Sequence, residues 1–297
     1  MSKNALTVEY YGQVEAHLDT IRSLAIWASR PEISILAGGK TGRNYLVRDA
    51  RGTYVARFSP LNNDILGIDR ARVEHNASIA GRGGVGPRVI ASYPGHDLLI
   101  VEYIDGEILS TKHARERHAI ERAANLFKKL HDLEGFQGYY DPLLDAESYV
   151  QKARGLHAWV PEHIDAHIVR MRRRLDELRP IAPAACHFDP NLKNIIVDKK
   201  GDLTLIDWEY AQNGDKRFDI AMYSTNAQFD SEQENAFLAA YGADIHSEEL
   251  HVMKALVSLS LASYGILQNA TSERTSEFNY KEHAESELKI FSSLIGS

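Results

Sequence analysis

Residues 186–221 read CHFDPNLKNIIVDKKGDLTLIDWEYAQNGDKRFDIA, the most informative part of the chain. Two short apolar runs, Ile195 to Val197 and Leu203 to Ile206, are separated by the charged, glycine-containing turn DKKGD. Apolar runs joined by such a turn predict a β-hairpin. One carboxylate, Asp189, precedes the hairpin, and another, Asp207, follows it directly. The sequence therefore places an acidic side chain at each end of one predicted hairpin.

The polar residues around this hairpin have the spacing of a site for phosphoryl transfer to an alcohol. Such a reaction needs one carboxylate to orient the hydroxyl and accept its proton, and oxygen ligands for the Mg²⁺ on the triphosphate. Asp189 suits the first role as the catalytic residue, while Asn194, five residues later, and Asp207 suit the second as metal ligands. The alternative is that these residues only cap turns. Their order after His187, with a strand-terminal Asp, favours the chemistry.

The first hundred residues predict a small, mainly antiparallel sheet that carries one helix. A helix is expected from Val14 to Ala28, and Pro31 ends it. The expected strands and the helix among them are Ile33 to Ala37, Tyr45 to Arg48, Tyr54 to Phe58, a helix at about Ile68 to Ala80, Arg88 to Tyr93 and Leu98 to Val101.

After Gly106 the apolar pattern becomes helical. The expected helices are Ile120 to Leu133, Ile164 to Leu178, Glu248 to Gln268 and Lys281 to Ile295. We therefore predict a two-lobed α+β protein. Its parts are a nucleotide-binding lobe at residues 1–101, a hinge at residues 102–105, and a mostly helical lobe at residues 106–297 that holds the catalytic loop and the acceptor site.

Charge and composition limit the partners. The net charge of −7 argues against nucleic acid as a partner. Residues 1–101 contain 12 basic and 9 acidic side chains and the remainder contains 22 and 32, which suits an anionic nucleotide and a cationic small molecule respectively, although solvated surfaces often show such an imbalance. Neither a membrane-spanning apolar run nor a secretory signal is visible, and the single Cys186 fits a reducing compartment. A cytoplasmic protein is expected.

The stretch from residue 186 to residue 221 resembles the catalytic segment of choline and ethanolamine kinases, especially of their bacterial relatives; thiamine kinases and aminoglycoside phosphotransferases are similar. GGKTGRNYLV, YVARF and IDRARVEHN resemble the nucleotide lobe of the same group, so the resemblance runs from about Ile33 to Ala221 and weakly to Gln268. It implies a protein kinase-like fold with a small β lobe and a larger helical lobe. It also implies ATP and Mg²⁺ as cofactors and a small-molecule hydroxyl, with choline or ethanolamine favoured, as the acceptor.

The resemblance also implies roles for residues of the first lobe. Gly38 and Gly39 let a hairpin tip approach the phosphates, and the alternative is a flexible turn. The other residues with an implied nucleotide role are Lys40 and Arg43, which add charge near the phosphates; Arg57, which stands where protein kinases have their phosphate-binding lysine; Glu74, its ion-pair partner; and Glu102, Tyr103 and Ile104, the hinge that meets adenine. The alternative for the Arg57–Glu74 pair is a surface ion pair of little energy.

The acceptor site is expected to hold a cation by aromatic faces and carboxylates. Its candidates are Trp208, Glu209, Tyr210, Tyr223 and Tyr264, of which core packing is the alternative fate. The resemblance implies that His187 and Asp219 brace the catalytic loop. Because Leu261 and Tyr264 stand where eukaryotic choline kinases have two tryptophans, thiamine, an aminoglycoside or another amino alcohol stays open as the acceptor. A non-catalytic nucleotide-binding pseudokinase is a further alternative, disfavoured because Asp189, Asn194 and Asp207 are all present.

Overall fold

The chain divides after Asp105 into two units, Met1–Asp105 and Gly106–Ser297, in a computed structural model. The structure describes residues 3–36, 43–59, 63–242, 245–272 and 278–295. The residues predicted to form the hinge lie at the carboxyl end of the first unit.

The first unit contains a five-stranded antiparallel sheet with the order β1-β2-β3-β5-β4. Its strands are β1 (Glu32–Leu36), β2 (Arg43–Asp49), β3 (Gly52–Phe58), β4 (Val89–Tyr93) and β5 (Leu98–Glu102). Its helices are α1 (Lys3–Ser23), α2 (Asn63–Leu66) and α3 (Arg70–Arg82). The predicted small antiparallel sheet with a helix after the third strand is therefore confirmed.

One face of this sheet forms the core of the first unit, because alternate residues of paired strands lie on the same side. Its buried apolar residues are Tyr45, Val47, Ala56, Phe58, Leu98 and Ile100, and Ile21 of α1 packs against them. Arg57 follows Ala56 in β3 and therefore lies on the opposite face of the sheet.

Helix α1 differs in its bounds from the prediction of Val14 to Ala28, since it begins at Lys3 and ends at Ser23. The indole Nε1 of Trp27 donates a hydrogen bond to the Ile21 carbonyl at 2.6 Å. The Ala28 N–H donates to the Asp49 carboxylate at 2.7 Å. These contacts satisfy backbone groups that a longer helix would have used, so the chain can turn after Ser23.

The second unit is mostly helical. Its helices are α4 (Thr111–Ala114), α5 (Arg117–His131), α6 (Pro142–Gly155), α7 (Ile164–Asp176), α8 (Lys216–Asn226), α9 (Ser231–Tyr241), α10 (Ser247–Thr271) and α11 (Tyr280–Ile295). Its strands are β6 (Gly106–Ile108), β7 (Ala184–Cys186), β8 (Ile195–Asp198), β9 (Leu203–Leu205) and β10 (Gln212–Gly214).

The hairpin predicted from the opening sequence is formed by β8 and β9, which pair antiparallel from Ile195 opposite Leu205 to Val197 opposite Leu203. Strand β6 adds to the other edge of β8, and β7 pairs separately with β10. The segment between β7 and β8 is thus anchored by a strand at each end. This arrangement positions residues 187–194 as a short, fixed loop.

Four helices of the second unit were not predicted: the single-turn α4, and α6, α8 and α9. In α8 every residue from Arg217 to Ser224 is buried, so no polar face gives the helix an amphipathic period. Helices α6 and α9 do have readable start signals, the N-caps Asp141 and Asp230, whose side chains accept hydrogen bonds from backbone N–H groups in the first turn.

Helix α10 corrects one expectation from the sequence. By length and composition it could cross a membrane, whereas no such stretch was expected. However, 72% of its most apolar window is buried within the protein. It contacts α6, α8 and α11, so helix packing accounts for its apolar composition.

Candidate active site

The loop between β7 and β8 is held in place by Asp219, a fully buried residue of α8. Its two carboxylate oxygens accept hydrogen bonds from the backbone N–H groups of His187 and Phe188 at 2.7 and 2.8 Å. His131 of α5 also bonds to this carboxylate at 3.2 Å. Because a carboxylate only accepts, Nε2 of His131 donates this bond, and its Nδ1 is hydrogen-bonded to the Tyr241 hydroxyl at 2.8 Å.

Two residues of the candidate site have left-handed backbone, with φ of 61° at Phe188 and 70° at Asp207. Residues other than glycine rarely adopt this backbone conformation, so surrounding contacts must enforce it. At Phe188 the bond to Asp219 does so, together with the close approach of Gly214, where a Cβ atom would come within 2.5 Å of the Phe188 ring. The strained residues are thus Phe188, which precedes Asp189, and Asp207, which follows the hairpin.

His187 is buried and ties the loop to the hairpin. Its Nε2 donates to the carbonyl of Ile206 at 2.9 Å, and its Nδ1 accepts from the N–H of Asp189 at 3.3 Å. The indole ring of Trp208 packs on the imidazole with the ring centroids 4.7 Å apart. The imidazole thus connects the residues before Asp207 with the backbone of Asp189, as a bracing residue would.

The carboxylate of Asp189 is oriented by two side-chain amides. Asn194 donates from Nδ2 to the Asp189 carboxylate at 2.8 Å and to its carbonyl at 2.9 Å, and Asn191 donates to the other carboxylate oxygen. Burial raises the pKa of Asp189 from 3.8 to about 7; the charge of Lys193 opposes this shift and that of Asp207 adds to it. A carboxyl group in this state can exchange a proton near neutral pH.

Asn194 and Asp207 have the chemistry of a Mg²⁺ site. Both recorded side-chain hydrogen bonds of Asn194 use its nitrogen, which leaves the amide oxygen for a metal ion. Asp207 follows β9, and its charge contributes to the raised pKa of Asp189. One carboxylate and one amide oxygen, completed by phosphate oxygens and water, match the ligands that Mg²⁺ prefers. The donor set therefore fits the ion.

Four tyrosines form a wall beside this loop, here called the tyrosine wall: Tyr140, Tyr149, Tyr210 and Tyr264. The ring of Tyr140 lies 4.6 Å from that of Phe188 and 6.2 Å from that of Tyr210, between centroids. The rings of Tyr149 on α6 and Tyr264 on α10 are 6.3 Å apart. The sequence indicated Tyr210 and Tyr264, whereas Tyr140 becomes visible through its contacts with Phe188 and Tyr210, and Tyr149 through the packing of α6 on α10.

Carboxylates surround the tyrosine wall. The hydroxyl of Tyr140 donates to Asp145 at 2.8 Å. Burial raises the pKa of Tyr264, and the negative charges of Asp189, Glu209 and Asp207 are among the further causes. Glu209 is buried, with 7% of its surface exposed. An aromatic wall with this much negative charge is suited to a cationic molecule.

Two of the predicted acceptor residues lie elsewhere. Trp208 is buried and packs between His187 and Phe136, so its ring supports the loop between β7 and β8. Tyr223 is fully buried, 5.1 Å from Phe127 between ring centroids and beside Phe237, in the core of the second unit. These positions correspond to the core-packing alternative for both residues.

In the first unit, Arg57 lies in one row with Leu99 and Ser92, because these residues pair directly across β3, β5 and β4. The Ser92 hydroxyl donates to the carboxylate of Glu74 on α3. Glu74 is therefore bound to the same face of the sheet that carries Arg57, about two strand spacings away, or roughly 10 Å. The ion pair between Arg57 and Glu74 stays a prediction.

The predicted hinge residues continue from β5. The N–H of Glu102 donates to the Arg88 carbonyl at 2.9 Å and the N–H of Tyr103 to the Thr53 carbonyl at 3.3 Å. A carboxylate oxygen of Glu102 lies 3.9 Å from Nε of Arg88. Ile104 follows directly. Gly39 and Lys40 lie outside the described residues, and of Arg43 only the backbone, paired with Phe58, is described.

Comparison with known proteins gives the family. The model of the phosphotransferase enzyme family matches residues 32–256. A LicA homolog of Metamycoplasma hominis is 33% identical over 111 residues, which is 37% of this chain and 43% of that protein. The aligned segment thus spans less than half the length of this curated relative.

Solved structures show the same fold at low identity. A choline/ethanolamine kinase family protein from Mesorhizobium loti is 23% identical, with a TM-score of 0.78, over 97% of this chain and 95% of that one. Choline kinase LicA from Streptococcus pneumoniae is 21% identical, with a TM-score of 0.79, over 95% and 99%. LicA in complex with AMP gives a TM-score of 0.75 over 93% and 98%, also at 21% identity. The chain therefore belongs to the phosphotransferase enzyme family and has the protein kinase-like fold of choline and ethanolamine kinases.

Proposed function

We propose that the chain is an ATP-dependent kinase that transfers the γ-phosphoryl group to the hydroxyl of a small cationic amino alcohol, with choline or ethanolamine favoured. The observation that carries the proposal is the grouping of an oriented carboxylate, Asp189, with Asn194, Asp207 and the tyrosine wall in one unit. A nucleotide-binding pseudokinase would have no need for a carboxylate with a raised pKa beside an aromatic, negatively charged wall.

In this reaction Asp189 orients the acceptor hydroxyl and accepts its proton. Asn194 fixes the direction of the Asp189 carboxylate through its amide nitrogen, and its amide oxygen together with Asp207 would hold Mg²⁺. When bound, the ion supplies positive charge to the phosphate oxygens. His187 and Asp219 keep the loop in its strained conformation.

The nucleotide role of the first unit is likewise a proposal. Arg57 would contact the phosphates with Glu74 steadying it, while Gly39, Lys40 and Arg43 would form the tip over the phosphates. Since strand pairing already uses the N–H groups of Glu102 and Tyr103, adenine would meet the carbonyls of this segment or the N–H of Ile104. The AMP complex of LicA supports a nucleotide in a fold of this kind.

A panel of acceptors tests the proposal. We expect ADP release from ATP and Mg²⁺ to increase with ethanolamine or choline, and not with a neutral sugar. Thiamine and an aminoglycoside serve as the competing acceptors. Release of ADP with none of these compounds would contradict the kinase assignment, and release only with an uncharged acceptor would contradict the cation site alone.

Variants separate the acceptor site from the nucleotide site. Glu209→Gln should raise the KM for the acceptor with little change for ATP, because the lost charge lies among the tyrosines. Arg57→Ala should do the reverse, and Glu74→Ala should do so more mildly. If Glu209→Gln changes the KM for ATP as much as the KM for the acceptor, the two sites are wrongly divided.

A further inference from the structure

The tyrosine wall has a carboxylate of its own, Asp145, in the first turn of α6. It accepts the hydrogen bond of the Tyr140 hydroxyl at 2.8 Å. Burial raises the pKa of Tyr149, and the neighbouring Tyr140 and Asp145 add to that shift. Asp145 thus faces two hydroxyls of the wall.

The hydroxyl of Tyr149 is a buried polar group of the wall. It lies close to both Asp145 and Tyr210. It is nevertheless buried without hydrogen-bond geometry to a partner among the described residues. A buried polar atom without a partner destabilises the protein, and a ligand that supplies the missing bond removes this cost. The wall therefore offers oxygen atoms to a donor as well as ring faces to a cation.

The ring faces and the oxygen acceptors distinguish between kinds of ammonium group. Ring faces attract any cation, including one whose nitrogen has four carbon substituents. Carboxylate and hydroxyl oxygens form directed bonds only to a nitrogen with N–H groups, and such charge-assisted bonds are stronger than neutral ones. A fully methylated nitrogen can lie against the rings, but it has no N–H group to donate to the oxygens of Asp145 and Tyr149.

We propose that Asp145 and the hydroxyls of the tyrosine wall select an acceptor whose ammonium carries N–H bonds, a primary or secondary amino alcohol, over one with a quaternary nitrogen. This inference rests on the proposed function, since it takes the wall as the acceptor site. Asp145 is in this reading a specificity-determining residue, and Tyr140 positions its carboxylate.

The test is a methylation series measured by calorimetric binding to the full chain: ethanolamine, N-methylethanolamine, N,N-dimethylethanolamine and choline. Each methyl group replaces one N–H bond. We expect the Kd to rise along the series, by about tenfold in total, which is the effect of one charge-assisted bond. Asp145→Asn should raise the Kd of ethanolamine about tenfold and that of choline much less, so the series becomes flat.

Tyrosine variants supply a matched pair. Tyr140→Phe keeps the ring and removes the hydroxyl that holds Asp145, so it should flatten the series in the same direction as Asp145→Asn. Tyr223→Phe removes a buried hydroxyl in the core, away from the wall, and should leave the series unchanged. Choline as the tightest ligand of the wild-type chain, or an equal loss for all four amines in Asp145→Asn, would overturn the inference.

Parallel assays of ADP release distinguish this inference from the proposed function. The expected binding order without ADP release supports the acceptor preference and contradicts the kinase. ADP release with the reverse order of preference contradicts the preference and leaves the kinase standing. Binding of none of the four amines contradicts both.

Discussion

Two carboxylates of the second unit, the buried Glu249 and the half-buried Asp189, show how differently the same kind of group can be used. Burial alone would raise the pKa of Glu249, but hydrogen bonds from Arg179 and from the His246 N–H, with the charge of Arg217, lower it to about 2. Arg179 and Arg217 lie 2.9 and 2.8 Å from its carboxylate. Burial raises the pKa of Asp189 to about 7.

The difference lies in the donors. Glu249 is paired with guanidinium groups that stay charged at any ordinary pH, so its negative charge is fixed. Asp189 receives its hydrogen bonds from the neutral amides of Asn191 and Asn194, which orient the carboxylate without cancelling its charge. A group that must take a proton from an alcohol needs orientation without a fixed counter-charge. The surroundings of Glu249 thus suit a structural role, and those of Asp189 suit the proton transfer proposed for it.

The largest effect is expected from removing the charge at the catalytic loop. Asp189→Asn or Asp207→Asn should lower the rate of transfer by about a thousandfold or more, because each acts on charge at the reacting centre. The measurement is ADP release with saturating acceptor, with circular dichroism as the check on folding. Nearly normal turnover in either variant would contradict the assignment of the loop.

The two variants should differ in nucleotide affinity. Asp207→Asn should weaken Mg²⁺-dependent nucleotide binding more than Asp189→Asn does, because of these two aspartates it is Asp207 that is proposed as a metal ligand. Titration calorimetry with and without Mg²⁺ measures this difference. Equal losses would mean that the roles of the two residues have been exchanged or are shared.

The next largest effect is expected at the structural carboxylate. Glu249→Gln leaves the buried guanidinium of Arg217 with less compensating charge, which should destabilise the protein by about 3 kcal/mol and lower the Tm by roughly 10 °C. Turnover per folded molecule should stay close to normal. Glu248→Gln, at the exposed neighbouring position, is the matched control and should change the Tm little. A mild effect at Glu249 would contradict the structural role.

The dependence of stability on pH should have opposite signs at the two sites. Because the folded-state pKa of Asp189 is raised, its ionisation opposes folding as the pH rises from about 4 through 7. Asp189→Asn should therefore raise the Tm by a few degrees relative to wild type at pH 8 and not at pH 4, in buffer without metal or nucleotide. Glu249, whose pKa is lowered, contributes stability above its ordinary value of 4.5 that is lost as the pH falls toward 2. A Tm difference for Asp189→Asn that is the same at both pH values would contradict the raised pKa.

The smallest effect concerns Lys193, an exposed residue and the nearest counterpart of the guanidinium groups at Glu249. Its charge lowers the pKa of Asp189, so Lys193→Met should move the acid limb of the kcat/KM profile upward by about half a pH unit. Lys112→Met, an exposed lysine on α4, is the control. A limb that moves downward, or moves equally in the control, would argue against Lys193 as a modulator of Asp189.

Short-range spacing predicted a large part of this protein. Asp189 and Asn194 lie five residues apart in one loop, and a single hairpin separates them from Asp207. Local structure is therefore enough to bring the three side chains near one another. The strands of the first unit could also be predicted from local sequence, since each is a short strand-like run with turns on either side. The N-cap signals of α6 and α9 were also present in the sequence.

The loop between β7 and β8, the hairpin and the family could all be predicted from the order of residues along the chain. The tyrosine wall, the position of Tyr223 outside it, and the contrast between Asp189 and Glu249 depend on how the chain packs. Tyr149 and Tyr264 are brought together by the packing of α6 on α10, which no local spacing encodes. The pKa of a carboxylate likewise depends on burial and on the charges that distant segments bring to it, and these exist only after the chain has folded.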